Sequence, residues 1–326
     1  MDKALITRRN YLSLALASAL AICMAPALAQ SDWPNRPIKI IVPSTSGGAA
    51  DFTARIFGRY LEQQIKQAVV VENKPGAGTV IGAEAVKNAP ADGYTFLLAG
   101  SSTQAANPSV FAKLPYDPEK DFEEIGLFGT FPMVGLVKAG SRLKSIADIV
   151  EQGKSGAKLS YGYYSSSSQI PAELLRERTG MQVVAVPYKN ITQIITDLVG
   201  GVIDYAFPDA LSAAPALRGT LLTPIAVTSP DRFALLPNVP AVAETLPGFQ
   251  MQSWLGLAAR SGTPSAIIKR MGDYVHAAAS DPAIRDALMK QGMAVKPSTP
   301  QEHAAFVAAD RKRWAEYVRV AKITPQ

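Results

Sequence analysis

The chain has 326 residues, 48% of them hydrophobic and 18% charged, with a formal net charge of +6. Its apolar share suffices for a large core, and its basic residues are dispersed without an aromatic-basic stripe, so composition and charge point to no nucleic-acid partner. One cysteine and two histidines leave little for thiolate metal sites, disulfides or imidazole chemistry.

The chain opens with Lys3, Arg8 and Arg9 ahead of the apolar run "YLSLALASALAICMAPALA", which ends in Ala27-Leu28-Ala29. Charged segment, hydrophobic stretch and small-residue cleavage site together predict an export signal over residues 1–29, cut after Ala29. "TRRNYL" resembles a twin-arginine signal, but paired arginines also serve ordinary secretory signals, so either route is open. Pro26 and the polar sequence from Gln30 argue against a retained membrane span. Cys23 follows Ile22 rather than the small residue that lipid modification favours, so the exported chain is expected to be soluble and free of cysteine. Losing Asp2, Lys3, Arg8 and Arg9 takes the formal charge from +6 to +4, a modest bias toward acidic solutes.

Short β-rich runs then alternate with amphipathic helical stretches. "IKIIV" (38–42) precedes a helix over about 50–65, "AVVVEN" (68–73) one over about 79–88, and "TFLLAG" (95–100) one beginning near Ser102. Later, "KLSYGY" (158–163) is followed by "PAELLRERTG", "QVVAVPY" (182–188) by "ITQIITDLVGG", and "VIDYAF" (202–207) by "ALSAAPALRG". Such alternation predicts an α/β protein with mainly parallel sheets and helices on both faces, whose ligand crevice lies at the carboxyl ends of the strands. "FPMVGLVKAGS" (131–141) and "QMQSWLGLAARSGTP" (250–264) read either as crossovers between two lobes or as ordinary strands of one sheet. His276 and His303 fall in helical patterns and read as surface histidines; "DRKRWAEYVR" (310–319) reads as the solvated face of a terminal helix.

The loops carry the chemistry. "NKPGAGTVIG" places Gly76, Gly78 and Gly82 after a strand, but its last spacing is one residue too long for a dinucleotide fingerprint, and no Gly-Lys-Ser/Thr ending occurs. A proline-glycine turn entering a helix accounts for it. "VPSTSGGAAD" (42–51) is different: Gly47 and Gly48 let backbone N–H groups approach a ligand, and the following helix turns its unpaired N–H groups and positive dipole end toward the same spot. Ser44, Thr45 and Ser46 can donate to an anion there or cap the helix, and Asp51 suits the first helical turn on structural grounds alone. Further junctions offer Ser101, Ser102 and Thr103; Ser165, Ser166, Ser167 and Ser168, beside Tyr163 and Tyr164; and Tyr188, Lys189, Asn190 and Asp209. Tyr188 reads equally as core and Asp209 equally as a helix cap. Hydroxyls and helix starts without a nucleophile-base pair can grip a polar solute but supply little catalysis, so no enzyme activity, cofactor or metal is expected.

In order and spacing, "WPNRPIKIIVPSTSGGAAD", "VVVENKPGAG", "ADGYTFLLAGSS", "NPSVFAKLPYDPEKDF", "VPYKN", "AVTSPDRFALLPNVPAVAETLPGF" and "WLGLAARSGTP" resemble the Bug family, the periplasmic receptors of tripartite tricarboxylate transporters. The resemblance implies a type II periplasmic-binding-protein fold: two α/β lobes joined by two crossover strands, closing over a carboxylate that is handed to membrane permease subunits. It implies lobes at 30–136 with 254–326 and at 137–253, a periplasmic monomer, and a site formed by residues 44–51 and 101–103 facing 164–168, 188–190 and 207–210. Departures fall in the second lobe: "YYSSSSQIPAELL" is two residues shorter than the family's turn, Asn190 stands where glycine is usual, and Pro208 stands near a position often acidic or small. Tyr163 and Tyr164 make an aromatic or more apolar acid conceivable. Competing roles are a ligand-sensing partner of a membrane sensor kinase, which would use the same closed state, and an exported serine hydrolase, which would need a serine activated by His276 or His303.

Overall fold

Eleven strands among the described residues sort into two sheets, each completed by its own helices. The computed structural model describes residues 33–325, so the expected signal at 1–29 lies outside them. The first sheet contains β1 (Ile38–Val42), β2 (Val69–Asn73), β3 (Thr95–Gly100), β4 (Phe122–Pro132), β10 (Gln252–Arg260) and β11 (Ala294–Val295), in the order β11-β4-β10-β3-β1-β2. The second holds β5 (Val134–Lys138), β6 (Leu159–Tyr163), β7 (Val183–Pro187), β8 (Tyr205–Ala206) and β9 (Leu222–Val227), in the order β7-β6-β8-β5-β9. The chain changes sheet at Met133, between β4 and β5, and returns between β9 and β10.

Those two passages correct the expectation of mainly parallel sheets. Parallel pairing is confined to β2-β1-β3 and β7-β6-β8, where helices connect successive strands. The crossing strands run antiparallel to their neighbours: β10 against β3 and β4, and β5 against β8 and β9. A strand that enters the second sheet and one that comes back must oppose each other, and no βαβ pattern in the sequence announces that reversal.

The helices are α1 (Ala49–Ile65), α2 (Val80–Lys87), α3 (Asn107–Val110), α4 (Ile146–Lys154), α5 (Ser166–Thr179), α6 (Ile191–Gly200), α7 (Ala210–Leu217), α8 (Val242–Thr245), α9 (Ser265–Ser280), α10 (Pro282–Lys290) and α11 (Pro300–Val320). Helix α1 buries Ala54, Phe57, Gly58 and Leu61 at three- and four-residue spacing, with Gly58 facing Val69 and Val71 of β2. "NKPGAGTVIG" forms the turn that the sequence suggests, and Gly82 is required by packing: a Cβ there would stand 2.7 Å from Pro43. Beyond Ser102 the chain winds as a π-type turn (Ser102–Ala106) before α3, where a plain helix was expected. Helix α5 starts five residues before "PAELLRERTG", so Ser165 is its cap and Ser166–Ser168 are its first turn rather than loop.

The C-terminal helix also departs from expectation. Its charged outer face is solvated, but Asp310 and Trp314 are buried. Asp310 Oδ2 accepts both the Trp254 and the Trp314 indole N–H, at 2.7 and 2.8 Å. Trp314, Val318 and Ala321 join the core that holds Tyr161, Leu174 and Leu175 of the second sheet and α5. His276 is exposed, whereas His303 is fully buried, edge-on to Trp254 and 3.5 Å from Glu124. The surface reading thus fails for His303: the small Gly256, where a Cβ would meet the imidazole at 2.5 Å, makes room for it inside.

Candidate ligand-binding site

The carboxyl ends of β1, β3, β6, β7 and β8 converge on a cavity of ≈ 110 Å³ between the two sheets, with the crossing strands supplying Phe131, Ser253, Trp254 and Leu255 to its wall. Of the residues expected there, Ser44, Thr45, Gly48, Ser101, Ser102, Thr103, Tyr164, Ser165, Ser167 and Asp209 line it. Ser166 and Tyr188 line an adjoining cavity of ≈ 590 Å³. Ser46, Gly47, Asp51 and Ser168 line neither.

The first loop shows why the expected residues part company. After Val42 the chain turns through Gly47, at φ 87°, into Gly48, which is the helix cap and makes no side-chain capping bond. The Gly47 N–H is folded back onto Asp51 Oδ2 at 3.0 Å, and Asp51 also pairs with Arg55 at 2.9 Å. Burial alone would raise the Asp51 carboxyl, but hydrogen bonds from Arg55, Gly47 and Asn73 outweigh it and hold it below the usual carboxylate range. Asp51 therefore fixes the turn rather than facing a ligand, while Ser46 and Gly47 lie exposed. The amides on the cavity side differ. Ala49 donates to Ser212 Oγ of α7 at 3.1 Å, and Ala50, which lines the cavity, has no acceptor for its N–H among the described residues, as a first-turn helical amide would not. The Ser44 Oγ is likewise buried without a partner.

At the second junction Ser101 is almost fully buried, and its oxygen accepts the Trp254 N–H at 3.0 Å and the Ser253 hydroxyl at 3.1 Å. A hydroxyl with both acceptor positions used has its own proton left to give, and Ser101 lines the cavity. Thr103 is spent locally, its Oγ1 bonded to the backbone N–H and C=O of Gly100, both at 3.1 Å.

From the second sheet, Ser165 and Ser168 form a reciprocal cap at the start of α5: Ser168 Oγ accepts the Tyr164 and Ser165 amides and donates to the Ser165 carbonyl at 2.9 Å. That network consumes Ser168 and explains why it does not reach the cavity. Ser167 meets Ser102 at 3.1 Å and Ser166 donates to Asn107 Oδ1 at 2.9 Å, so two neighbouring hydroxyls of α5 reach across to the first sheet's helices. Asp209 caps α7 through the Ser212 amide at 2.8 Å and accepts the Tyr164 hydroxyl at 2.5 Å, so the capping reading is the one observed, at a residue that also lines the cavity. Burial, then the Asp209 charge, push the Tyr164 phenol well above its ordinary range. Tyr188 donates to Asp197 Oδ2 at 2.7 Å; burial and that carboxylate push its phenol up to about 12.

Lys189 and Asn190, expected at the 188–190 junction, line both cavities, with Asn190 Oδ1 capping α6. Ser212 and Ser253 were outside the expected set: they sit on a helix face and a crossing strand, where sequence gives no loop signal. Neither His276 nor His303 lines either one.

The model of the tripartite tricarboxylate transporter family receptor matches residues 53–322. Protein BugT of Bordetella pertussis is 32% identical over 306 residues, covering 92% of this chain and 94% of that protein. Among solved structures, R. palustris Rpa4515 with adipate superposes with a TM-score of 0.87 at 30% identity, covering 90% of this chain and all of that one. MatC from Rhodopseudomonas palustris, with bound malate, superposes with a TM-score of 0.81 at 28% identity over 88% of this chain and all of that one. The fold that the sequence resemblance implies is the one observed.

Proposed function

The chain belongs to the tripartite tricarboxylate transporter receptor family, and on that premise we propose that it is a periplasmic receptor that captures a small carboxylate between its sheets and delivers it to the membrane permease subunits of such a transporter. It acts as a monomer after export and catalyses no reaction. No helix among the described residues is long and apolar enough to cross a membrane. The adipate and malate seen in its structural relatives support a carboxylate as the solute.

One observation carries the reading. The unpaired Ala50 amide, the partnerless Ser44 hydroxyl and the spare proton of Ser101 all belong to residues lining one cavity. Together with the positive end of α1 they make a donor set matched to a carboxylate, and it needs no fixed cation. We divide the lobes where the chain changes sheet, at Met133 and ahead of Gln252, close to the Val137 and Ser253 positions implied by the resemblance. Each lobe supplies part of the site, so ligand bound by both favours the closed arrangement over the open one. Ser102 with Ser167, Asn107 with Ser166, and Ala49 with Ser212 are the contacts that closure makes.

Mass spectrometry of the small molecules released when natively purified protein is denatured tests this reading. A stoichiometric organic acid is expected. Release of none, together with no thermal stabilisation of ligand-stripped protein by any acid, would refute it.

A further inference from the structure

We propose, building on the receptor reading, that the solute is a monocarboxylic acid bearing an aromatic ring, with its carboxylate in the smaller chamber and its ring in the larger. The two chambers share Thr45, Tyr164, Lys189 and Asn190 among their lining residues, so they lie side by side. At ≈ 590 Å³ the outer chamber exceeds what a four-carbon diacid needs, and a pocket binds well when the ligand fills it.

The lining of the outer chamber fits a ring. Val110, Phe111, Tyr163, Tyr188, Pro75 and Pro187 are apolar or aromatic. The hydroxyl of Tyr188 is committed to Asp197 and that of Tyr164 to Asp209, so these side chains offer the chamber ring surface rather than polar groups.

Of the outer chamber's hydroxyls, Ser166 donates to Asn107 Oδ1 and Ser165 is engaged with Ser167 and Ser168 in its own helix cap. Lys189 is the only basic residue among the described residues lining either chamber, and it stands on their shared wall. The donor set of the inner chamber matches the acid's one carboxylate, and the apolar surface of the outer chamber rewards an uncharged, flat body.

Calorimetry on ligand-stripped protein with 3-phenylpropanoate, propanoate, succinate and adipate provides the test. The ring acid is expected to bind about tenfold or more tightly than the other three. Tyr188→Ala is expected to weaken 3-phenylpropanoate by about fivefold or more while leaving propanoate within about twofold. Tighter binding of succinate or adipate than of the ring acid overturns the inference and leaves the receptor reading standing; binding of no acid overturns both. If Tyr188→Ala does not fold, the ranking of the four acids on the unmodified protein decides.

Discussion

The amide of Ala49, at the start of α1 beneath the first sheet, donates to the hydroxyl of Ser212, in α7 beneath the second, at 3.1 Å. The chain separation of 163 residues makes this a contact between halves of the molecule, set directly at the site where a carboxylate is expected to bind. Ser212→Ala removes it without altering the cap, because Asp209 bonds the backbone N–H of residue 212 and not its side chain. A neutral hydrogen bond contributes about 1 kcal/mol, or roughly fivefold in an equilibrium. The variant is expected to bind its acid about fivefold more weakly and to show a larger radius of gyration in solution scattering without ligand; unchanged values in both would show that the contact does not help closure.

Ser101→Ala tests the donor set directly. The substitution removes the proton offered to the ligand and leaves the Trp254 amide without its acceptor. Affinity is expected to fall by about tenfold or more, since hydrogen bonds to charged groups contribute about 1.5–3 kcal/mol. Ser253→Ala removes the hydroxyl that donates to Ser101 and keeps the Ser101 proton, so it should cost stability with a smaller loss of affinity. Equal affinity losses in the two variants would contradict the direct role of Ser101.

Asp51 separates turn stability from ligand binding. Its folded pKa is depressed, so its contribution is present above the unfolded value and is lost as pH falls through the folded one. Asp51→Asn is therefore expected to melt below the unmodified protein at pH 5 to 7, with the gap closing below about pH 4. Acid affinity at pH 7 should change less than about threefold. A large affinity loss without destabilisation would place Asp51 in the site after all.

Glu124 gives the opposite sign. Its carboxylate oxygens are buried without partners beside the buried His303, and burial pushes it up to about 8, while Arg311 pulls it down and Glu123 adds slightly to the rise. The same burial pushes His303 down to about 3. A carboxyl raised in the fold is held protonated there, so stability is lost as pH climbs from the ordinary glutamate range toward 8. Glu124→Gln keeps a neutral group at every pH. It is expected to melt about 3 °C or more above the unmodified protein at pH 9, with the difference shrinking toward pH 5; no gain at pH 9 would contradict the assignment.

The strand-helix alternation was legible because each β run is apolar and each helix amphipathic, and the Gly47-Gly48 pair announced the turn ahead of α1. The serines of "YYSSSSQIP" were harder. They read as loop because serine is a poor helix former, yet Ser165 and Ser168 cap each other and carry the chain straight into α5. Asp51 and Thr103 carry the right chemistry in the right stretches, but local backbone partners claim them, and no spacing rule reports which way a side chain turns. Ser212, Ser253 and the buried state of His303 depend on elements packed from distant parts of the chain, through contacts such as Gly256 against the imidazole, and so had no local signature.

The central claim is that amide and hydroxyl donors hold a negative charge, and the sharpest measurement compares an acid with its own uncharged amide. Calorimetry on ligand-stripped protein, using the acid identified by mass spectrometry and the matching primary carboxamide, isolates that charge at constant shape. The acid is expected to bind at about micromolar Kd or better and the carboxamide at least about a hundredfold more weakly, in line with charge-assisted bonds lost at several donors. Equal affinity for the two would show that shape alone selects the solute and that these donors are not a carboxylate site.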